Sequence, residues 1–171
     1  MRWGFRMDNY TIRRFREGDF EAFHASMCAY DVVKMTGTWP WPPDPVFTRS
    51  RMITPHAKDG RLSVIDFEGA YIGQVSVVEG VLGYMIAKPH WGLGIASWAV
   101  GEKLKTAFAD EDLREVTACV WQGNPASEAV LYKHGFLKTG TCEAFCIPRG
   151  EVVKNNTFRL TRAAWEAPDG V

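Results

Sequence analysis

The hydrophobic pattern changes period several times along the chain. Residues 10–15 alternate, predicting a short opening strand. Past Gly18 and Asp19, Phe23, Met27, Tyr30 and Val33 recur at helical spacing, which predicts an amphipathic helix over 20–35. Residues 36–45 break the pattern with Trp39-Pro40-Trp41-Pro42-Pro43. Prolines at that density forbid a helix, so two tryptophans ride on a stiff, extended loop. A short helix is expected over 44–56. Residues 61–68, 71–78 and 81–87 predict three strands, with turns at Glu68-Gly69 and Glu79-Gly80 close enough for antiparallel hairpins.

The second half predicts a helix over 91–109, its core face near Ala96, Val100, Leu104 and Phe108. Residues 115–121 show little polar alternation and read as a strand buried on both faces. Pro125 sits well in the first turn of a helix reaching 134. Two more strands are expected at 136–145 and 156–160. Residues 1–8 and 163–171 read as loose termini, with 165–171 a loose tail. No repeat, low-complexity stretch or linker interrupts the pattern, so one α+β domain is expected over 1–171.

Composition narrows the class. At 171 residues and 46% hydrophobic, the chain suits a globular domain that buries about two-thirds of its unfolded-chain surface. The 20 basic and 20 acidic side chains balance, which argues against broad nucleic-acid binding but leaves room for a local basic patch. No run approaches the ~18 apolar residues of a membrane span. Arg2 and Arg6 precede no apolar signal-peptide core, so a cytoplasmic location is expected. Cys28, Cys119, Cys142 and Cys146 form no C-x-x-C pair. They read as reduced, mostly buried thiols, and no metal is expected.

Residues 82–98 carry the chemistry: a strand, the loop His90-Trp91-Gly92-Leu93-Gly94, and the first turn of a helix. The first four N–H groups of a helix lack intrahelical partners, and its dipole places roughly half a positive charge there. Gly92 and Gly94 remove the Cβ atoms that would hold a phosphate off the main chain, so the segment reads as an anion cradle. A second motif follows: Asn124-Pro125-Ala126-Ser127, then Leu131-Tyr132-Lys133-His134-Gly135-Phe136. Asn124 can cap that helix and Gly135 can end it in a left-handed conformation. Capping alone would explain these residues; the pairing of two strand–loop–helix motifs about thirty residues apart points further.

The pair resembles the GNAT acyltransferases, which move an acetyl group from acetyl-CoA to an amine. The resemblance covers essentially the whole chain and is closest to the RimJ/RimL-like branch, whose founding members acetylate N-terminal amines of ribosomal proteins. That branch shows a Trp-Gly-x-Gly-x-Ala loop, matched by Trp91, Gly92, Leu93, Gly94, Ile95 and Ala96. The branch often continues Thr-Glu, where this chain has Ser97 and Trp98; Trp98 reads as core packing or as a wall near the ligand. The implied fold is a mixed, mostly antiparallel sheet flanked by helices, with a splayed parallel strand pair forming a wedge for CoA. The resemblance implies that backbone amides from Trp91 to Ser97 wrap the pyrophosphate. It also implies that Met85, Ile86 and Ala87 offer backbone groups to the pantetheine arm, and that Asn124 hydrogen-bonds it. Lys88, Lys103 and Lys133 are candidate phosphate partners.

Acetyl transfer needs a neutral amine, a polarised thioester carbonyl and a protonated or stabilised thiolate. Many relatives place a tyrosine four residues before the Gly of Gly-Phe as the acid. Here that position is Leu131, with Tyr132 one place later on another side of the helix. Ser127 is the better candidate to donate toward the sulfur, helped by a helix N-terminus, although it also reads as part of the cap. For the general base some relatives use a carboxylate on the strand at 81–87, and this chain has none. Glu79 and His90 are candidates, each also readable as a solvated turn residue. A water chain could serve instead, since an α-amine titrates near 8. Asp31, Tyr84, Trp39 and Trp41 are candidates for the acceptor side, the tryptophans equally readable as core; aromatic faces could hold a cationic amine.

The acceptor is an amine, on a protein N-terminus or on a small molecule. Exposed aromatics or paired strands would support a homodimer. Two rivals remain. A dinucleotide-binding oxidoreductase would need a glycine at Ser97 and an acid ending the following strand, which ends at Trp121. A non-catalytic acyl-CoA-binding or protein-interaction module on the same fold would differ in lacking turnover.

Overall fold

A computed structural model describes residues 7–167. The strands are β1 (Tyr10–Arg13), β2 (Leu62–Phe67), β3 (Ala70–Val78), β4 (Val81–Ile86), β5 (Glu115–Trp121), β6 (Leu137–Cys146) and β7 (Glu151–Thr161). They form one seven-stranded sheet in the order β1-β2-β3-β4-β5-β7-β6. Every neighbouring pair is antiparallel except β4 and β5, which run parallel. The two expected hairpin turns are present, with positive φ at both central residues of Glu68-Gly69 and Glu79-Gly80, the twist that matches flanking right-handed strands.

The parallel pair barely exists. Its register contains one pair, Val81 with Thr117, fastened by the Thr117 N–H donating to the Gly80 carbonyl at 2.8 Å. Beyond that bond the strands part, and the expected splayed wedge opens between them.

Helices cover both faces. On one face α5 (Ile95–Phe108) and α6 (Pro125–Lys133) bury a core that includes Val75, Leu104, Val116, Leu131 and Phe158. On the other, α1 (Phe20–Met27), α2 (Tyr30–Val33), α3 (Pro45–Met52) and α4 (Pro55–Asp59) accompany a second cluster built on Phe23, Met27, Trp39, Val64 and Tyr71. Phe23 is wholly buried and its ring lies 5.3 Å from those of both Trp39 and Tyr71. Truncating such a residue to alanine typically costs 3–5 kcal/mol.

An ion network ties this second layer to the sheet edge. The Arg13 guanidinium on β1 donates two bonds to Asp19 at 2.7 Å and one to Asp66 on β2 at 2.6 Å. Burial pushes the Asp19 carboxyl up, but the bonds from Arg13 and from the Arg16 N–H outweigh it and hold the group below the usual carboxylate range. Both carboxylates are buried, so removing Arg13, their shared cation, would strand the pair.

Several local expectations are corrected. The helix over 20–35 breaks at Cys28-Ala29 into α1 and α2, where Ala29 turns extended. The helix over 44–56 is two: Ile53 ends α3, and the Thr54 hydroxyl caps α4. Strand β5 is buried on one face only, with Val116, Ala118 and Val120 inward and Glu115 and Cys119 exposed. The last strand begins at Glu151, well before 156, because it pairs with the whole of β6. Helix α5 starts at Ile95, and its inward residues are Ile95, Ala99, Val100, Leu104 and Phe108, whereas Ala96 is half-buried. Three of the four cysteines are exposed; Cys146 alone is buried. The expected tail is in part the helix α7 (Arg162–Glu166), whose Trp165 stacks on Phe108 at 5.6 Å. Of the residues expected to be loose, 1–6 and 168–171 lie outside the described region.

Candidate active site

A cavity of about 1010 Å³ passes through the β4/β5 gap, with the glycine loop at one end and the α2–α4 layer at the other. The loop end is built from main chain. Residues Lys88–His90 make a single 3-10 turn, and the Trp91 indole N–H then donates to the Ile86 carbonyl at 2.7 Å, clipping the loop to the end of β4. Gly92 and Gly94 both adopt left-handed φ, near +77° and +75°, a conformation that strains any residue bearing a Cβ. A Cβ at Gly92 would meet nothing within 4 Å; it would project into open space in front of the loop. Among the described residues the N–H groups of Gly92, Leu93 and Gly94 find no backbone acceptor. Those of Ile95, Ala96 and Ser97 open α5, where no intrahelical carbonyl can reach them. Converging N–H groups at a helix start form an anion site. The Ser97 side chain is otherwise engaged: His134 Nε2 lies 3.2 Å from its hydroxyl and 2.7 Å from its carbonyl, docking α5 onto the end of α6. Burial lowers the His134 pKa, keeping the ring neutral.

The wall of the gap follows from strand alternation. The Ala87 N–H donates to the Ile72 carbonyl on β3 at 2.9 Å, so the peptide groups of Met85 and Ala87 face β3 and those of Tyr84 and Ile86 face the gap. The expectation that Met85 and Ala87 present backbone groups to a ligand is therefore corrected by one residue. The Ile86 carbonyl is already taken by Trp91, leaving its N–H and both peptide groups of Tyr84.

Across the gap, Asn124 caps α6 by accepting the Ser127 N–H at 3.2 Å through Oδ1. Its amide nitrogen remains without a partner among the described residues. The Ser127 hydroxyl lies 2.7 Å from the Tyr84 hydroxyl, which is also 3.0 Å from the Ser127 carbonyl. Burial raises the Tyr84 pKa to about 12 against the opposing bond from Ser127, so the phenol stays protonated at neutral pH. The phenol proton is given to the Ser127 carbonyl, so the Ser127 hydroxyl donates to the Tyr84 oxygen and must turn from it to point into the gap. Sequence reasoning placed Tyr84 with the acceptor; the structure joins it to Ser127, 43 positions away.

The far end is built from side chains. The register pairs Gln74 with Met85, Ser76 with Gly83 and Val78 with Val81, so these residues share one face and floor the cavity opposite α5. Around them stand Met35, Trp39, Arg51, His56 and Trp121. Gln74 Oε1 and His56 Nδ1 are buried with no hydrogen-bond partner. Sequence reasoning missed Gln74, His56 and Arg51, which come from three separate elements; a lone polar residue in a strand pattern was the one available signal, at Gln74. Asp31 lines the cavity but is held by Lys34 at 2.9 Å and Lys88 at 2.6 Å, and those two cations lower its pKa to about 2.

Other expected site residues fall elsewhere. Glu79 occupies the β3–β4 hairpin turn and does not line the cavity. Lys103 is buried in α5, donating to the Gly60 carbonyl and Ser63 hydroxyl, so it holds the α4–β2 corner and not a phosphate. Lys133 is exposed at the end of α6, outside the cavity. Trp41 is exposed against Tyr30 and also outside it. Trp39 is core, packed edge-on to Phe23 and Phe47, with part of its surface reaching the cavity. Trp98 packs on the main core beside Tyr10, at 6.0 Å. His90 does line the cavity, beside the cradle.

The acetyltransferase (GNAT) domain family matches residues 9–137 of the chain, well over half of its length. The protein belongs to the GNAT acetyltransferase family. A relative from Bacillus subtilis strain 168, the uncharacterized N-acetyltransferase YoaA, is 28% identical over 81 residues, 47% of this chain and 46% of its own. The chain thus spans about half the length of the curated relatives it matches. Among solved structures, Mycobacterium smegmatis RimJ in complex with CoA-disulfide superposes with a TM-score of 0.76 at 22% identity, covering 92% of this chain and 84% of RimJ. Spermidine N-acetyltransferase from Vibrio cholerae, in complex with CoA and spermine, superposes with 0.71 at 17% identity, covering 93% and 99%. In this GNAT protein no group of three or more His, Cys, Asp or Glu residues that could hold a metal occurs among the described residues. No described helix is long and apolar enough to cross a membrane.

Proposed function

We propose that this GNAT protein transfers the acetyl group of acetyl-CoA to a primary amine by direct attack in a ternary complex. One observation supports the reading most: cradle, gap and far pocket belong to a single cavity, so a thioester entering from the loop meets an amine entering from the α2–α4 side. Bound acetyl-CoA supplies an activated acyl group on a thiol leaving group. The N–H groups from Gly92 to Ser97 hold its pyrophosphate. The gap-facing peptide groups of Tyr84 and Ile86 and the Asn124 amide nitrogen hold the pantetheine arm. Ser127, its hydroxyl turned from Tyr84 into the gap, donates its proton toward the departing sulfur, and its place in the first turn of α6 favours negative charge there. The only carboxylate lining the cavity among the described residues, Asp31, is fixed in ion pairs. The amine proton therefore leaves through water or His90 rather than through a dedicated carboxylate.

Thiol release from acetyl-CoA in the presence of a panel of primary amines tests this. Turnover is expected with at least one amine. Ser127→Ala should lower kcat about ten- to a hundredfold, the usual scale for one positioned proton donor, while the KM for acetyl-CoA holds. Binding of acetyl-CoA without release to any amine would instead indicate a non-catalytic binding module.

A further inference from the structure

Resting on the acetyltransferase reading, we propose that the far end of the cavity selects a small primary amine that also carries a carboxylate, and disfavours polycations. The charge inventory points there. Among the described residues lining the cavity, Asp31 is the sole carboxylate, and Lys34 and Lys88 already neutralise it. The cations facing the same space are Lys34 and Arg51. A polyamine entering this end would approach the unpaired Arg51 charge and find no free carboxylate.

Arg51 is the group with spare capacity. It stands in the last turn of α3, lines the cavity, and its guanidinium has no hydrogen-bond, ionic or aromatic partner among the described residues. Its neighbour on the same helix, Arg49, is by contrast occupied, paired with Glu17 and stacked over Phe20. A guanidinium presents parallel N–H donors that fit a carboxylate bidentately. Deeper in, Gln74 Oε1 is a buried acceptor with nothing to accept, and an amine N–H is the donor that would satisfy it. His56 Nδ1, buried and equally unpartnered, adds a polar group on the Arg51 side. An acceptor amine at Gln74 with its carboxylate at Arg51 gives each of these two groups the partner it lacks.

The test is a length series of ω-amino acids, from glycine to aminohexanoate. They are compared with n-alkylamines and diamines of matched length, with spermidine, and with a tripeptide bearing an acidic second residue. Thiol release gives kcat/KM, and the thermal shift in saturating CoA gives acceptor binding independent of turnover. The amino acids are expected to exceed the matched alkylamine and diamine by about tenfold or more at one chain length, the scale of one charge-assisted hydrogen bond. Arg51→Gln should collapse that ratio toward one, and Arg49→Gln should leave it in place. Because a ratio within one variant is read, a change in folded fraction does not enter. The tripeptide matching the best amino acid would assign the same carboxylate subsite to protein N-termini. Diamines, spermidine or plain alkylamines equalling the amino acids, or a ratio that survives Arg51→Gln, would overturn the proposal. Silence of the whole panel in both readouts would overturn it too, with the CoA shift itself deciding whether the cofactor reading fell as well.

Discussion

The two ends of the cavity are made of different material. The loop end is main chain: N–H groups of residues 92–97, placed by two left-handed glycines and by the start of a 14-residue helix. The far end is side chain: Gln74 from β3, Arg51 from α3, His56 from α4, Trp39 from the proline-rich loop. A backbone cradle depends on a local run of sequence and tolerates many neighbours. A side-chain pocket depends on where four short helices come to rest against the sheet, and it inherits their stability.

That contrast is broken most forcefully through the ion network under the helical layer. Asp19→Asn, which weakens the two bonds from Arg13 and leaves it paired with Asp66 alone, should cost about 2–3 kcal/mol of stability and raise the acceptor KM more than that of acetyl-CoA. Chemical denaturation with steady-state kinetics checks both. The acid side has a defined sign. Because the folded Asp19 carboxyl titrates below its unfolded value, near 3.9, its stabilisation is whole above that value and lost as pH falls through the folded one. The variant should lack this portion of the acid transition.

Two glycines separate the ends further. Gly37 and Gly92 have nearly the same left-handed φ, but a Cβ at Gly37 would overlap the Trp121 ring, whereas at Gly92 it meets open space. Gly37→Ala should destabilise by about 2 kcal/mol, strain plus displaced ring, and disturb acceptor kinetics. Gly92→Ala should cost only about 1 kcal/mol of strain while weakening acetyl-CoA binding about tenfold or more, read by calorimetry. If both variants behaved alike, the division between the ends would fail.

What the sequence disclosed follows the same division. The cradle, the Asn124 cap and the two hairpin turns were legible because each is a short run in which residue type dictates backbone. The splayed strand pair came through the family resemblance. The far end was not legible: Trp39 packs inward despite its prolines, since Phe23 and Phe47 close around it, while Trp41 two residues on stays out. The contact of Tyr84 with Ser127 was not legible, because strand alternation alone does not reveal which face meets α6. Lys103 looked like a surface cation, and only the α4–β2 corner explains its burial.

A pH dependence is expected of that lysine. Burial lowers the Lys103 pKa to about 8 from an ordinary 10.5. Between those values the unfolded chain binds the extra proton, so stability should rise with pH across that window and level off above it. Lys103→Met should flatten this rise, seen as Tm against pH.

If the main-chain cradle holds the CoA moiety, a thermal-shift titration with acetyl-CoA, CoA and NAD will show it. Acetyl-CoA and CoA should each stabilise the protein, by about 2.7 kcal/mol at a hundredfold excess over Kd, and NAD should not. No shift at millimolar acetyl-CoA would contradict the account and leave the glycine loop as a structural turn.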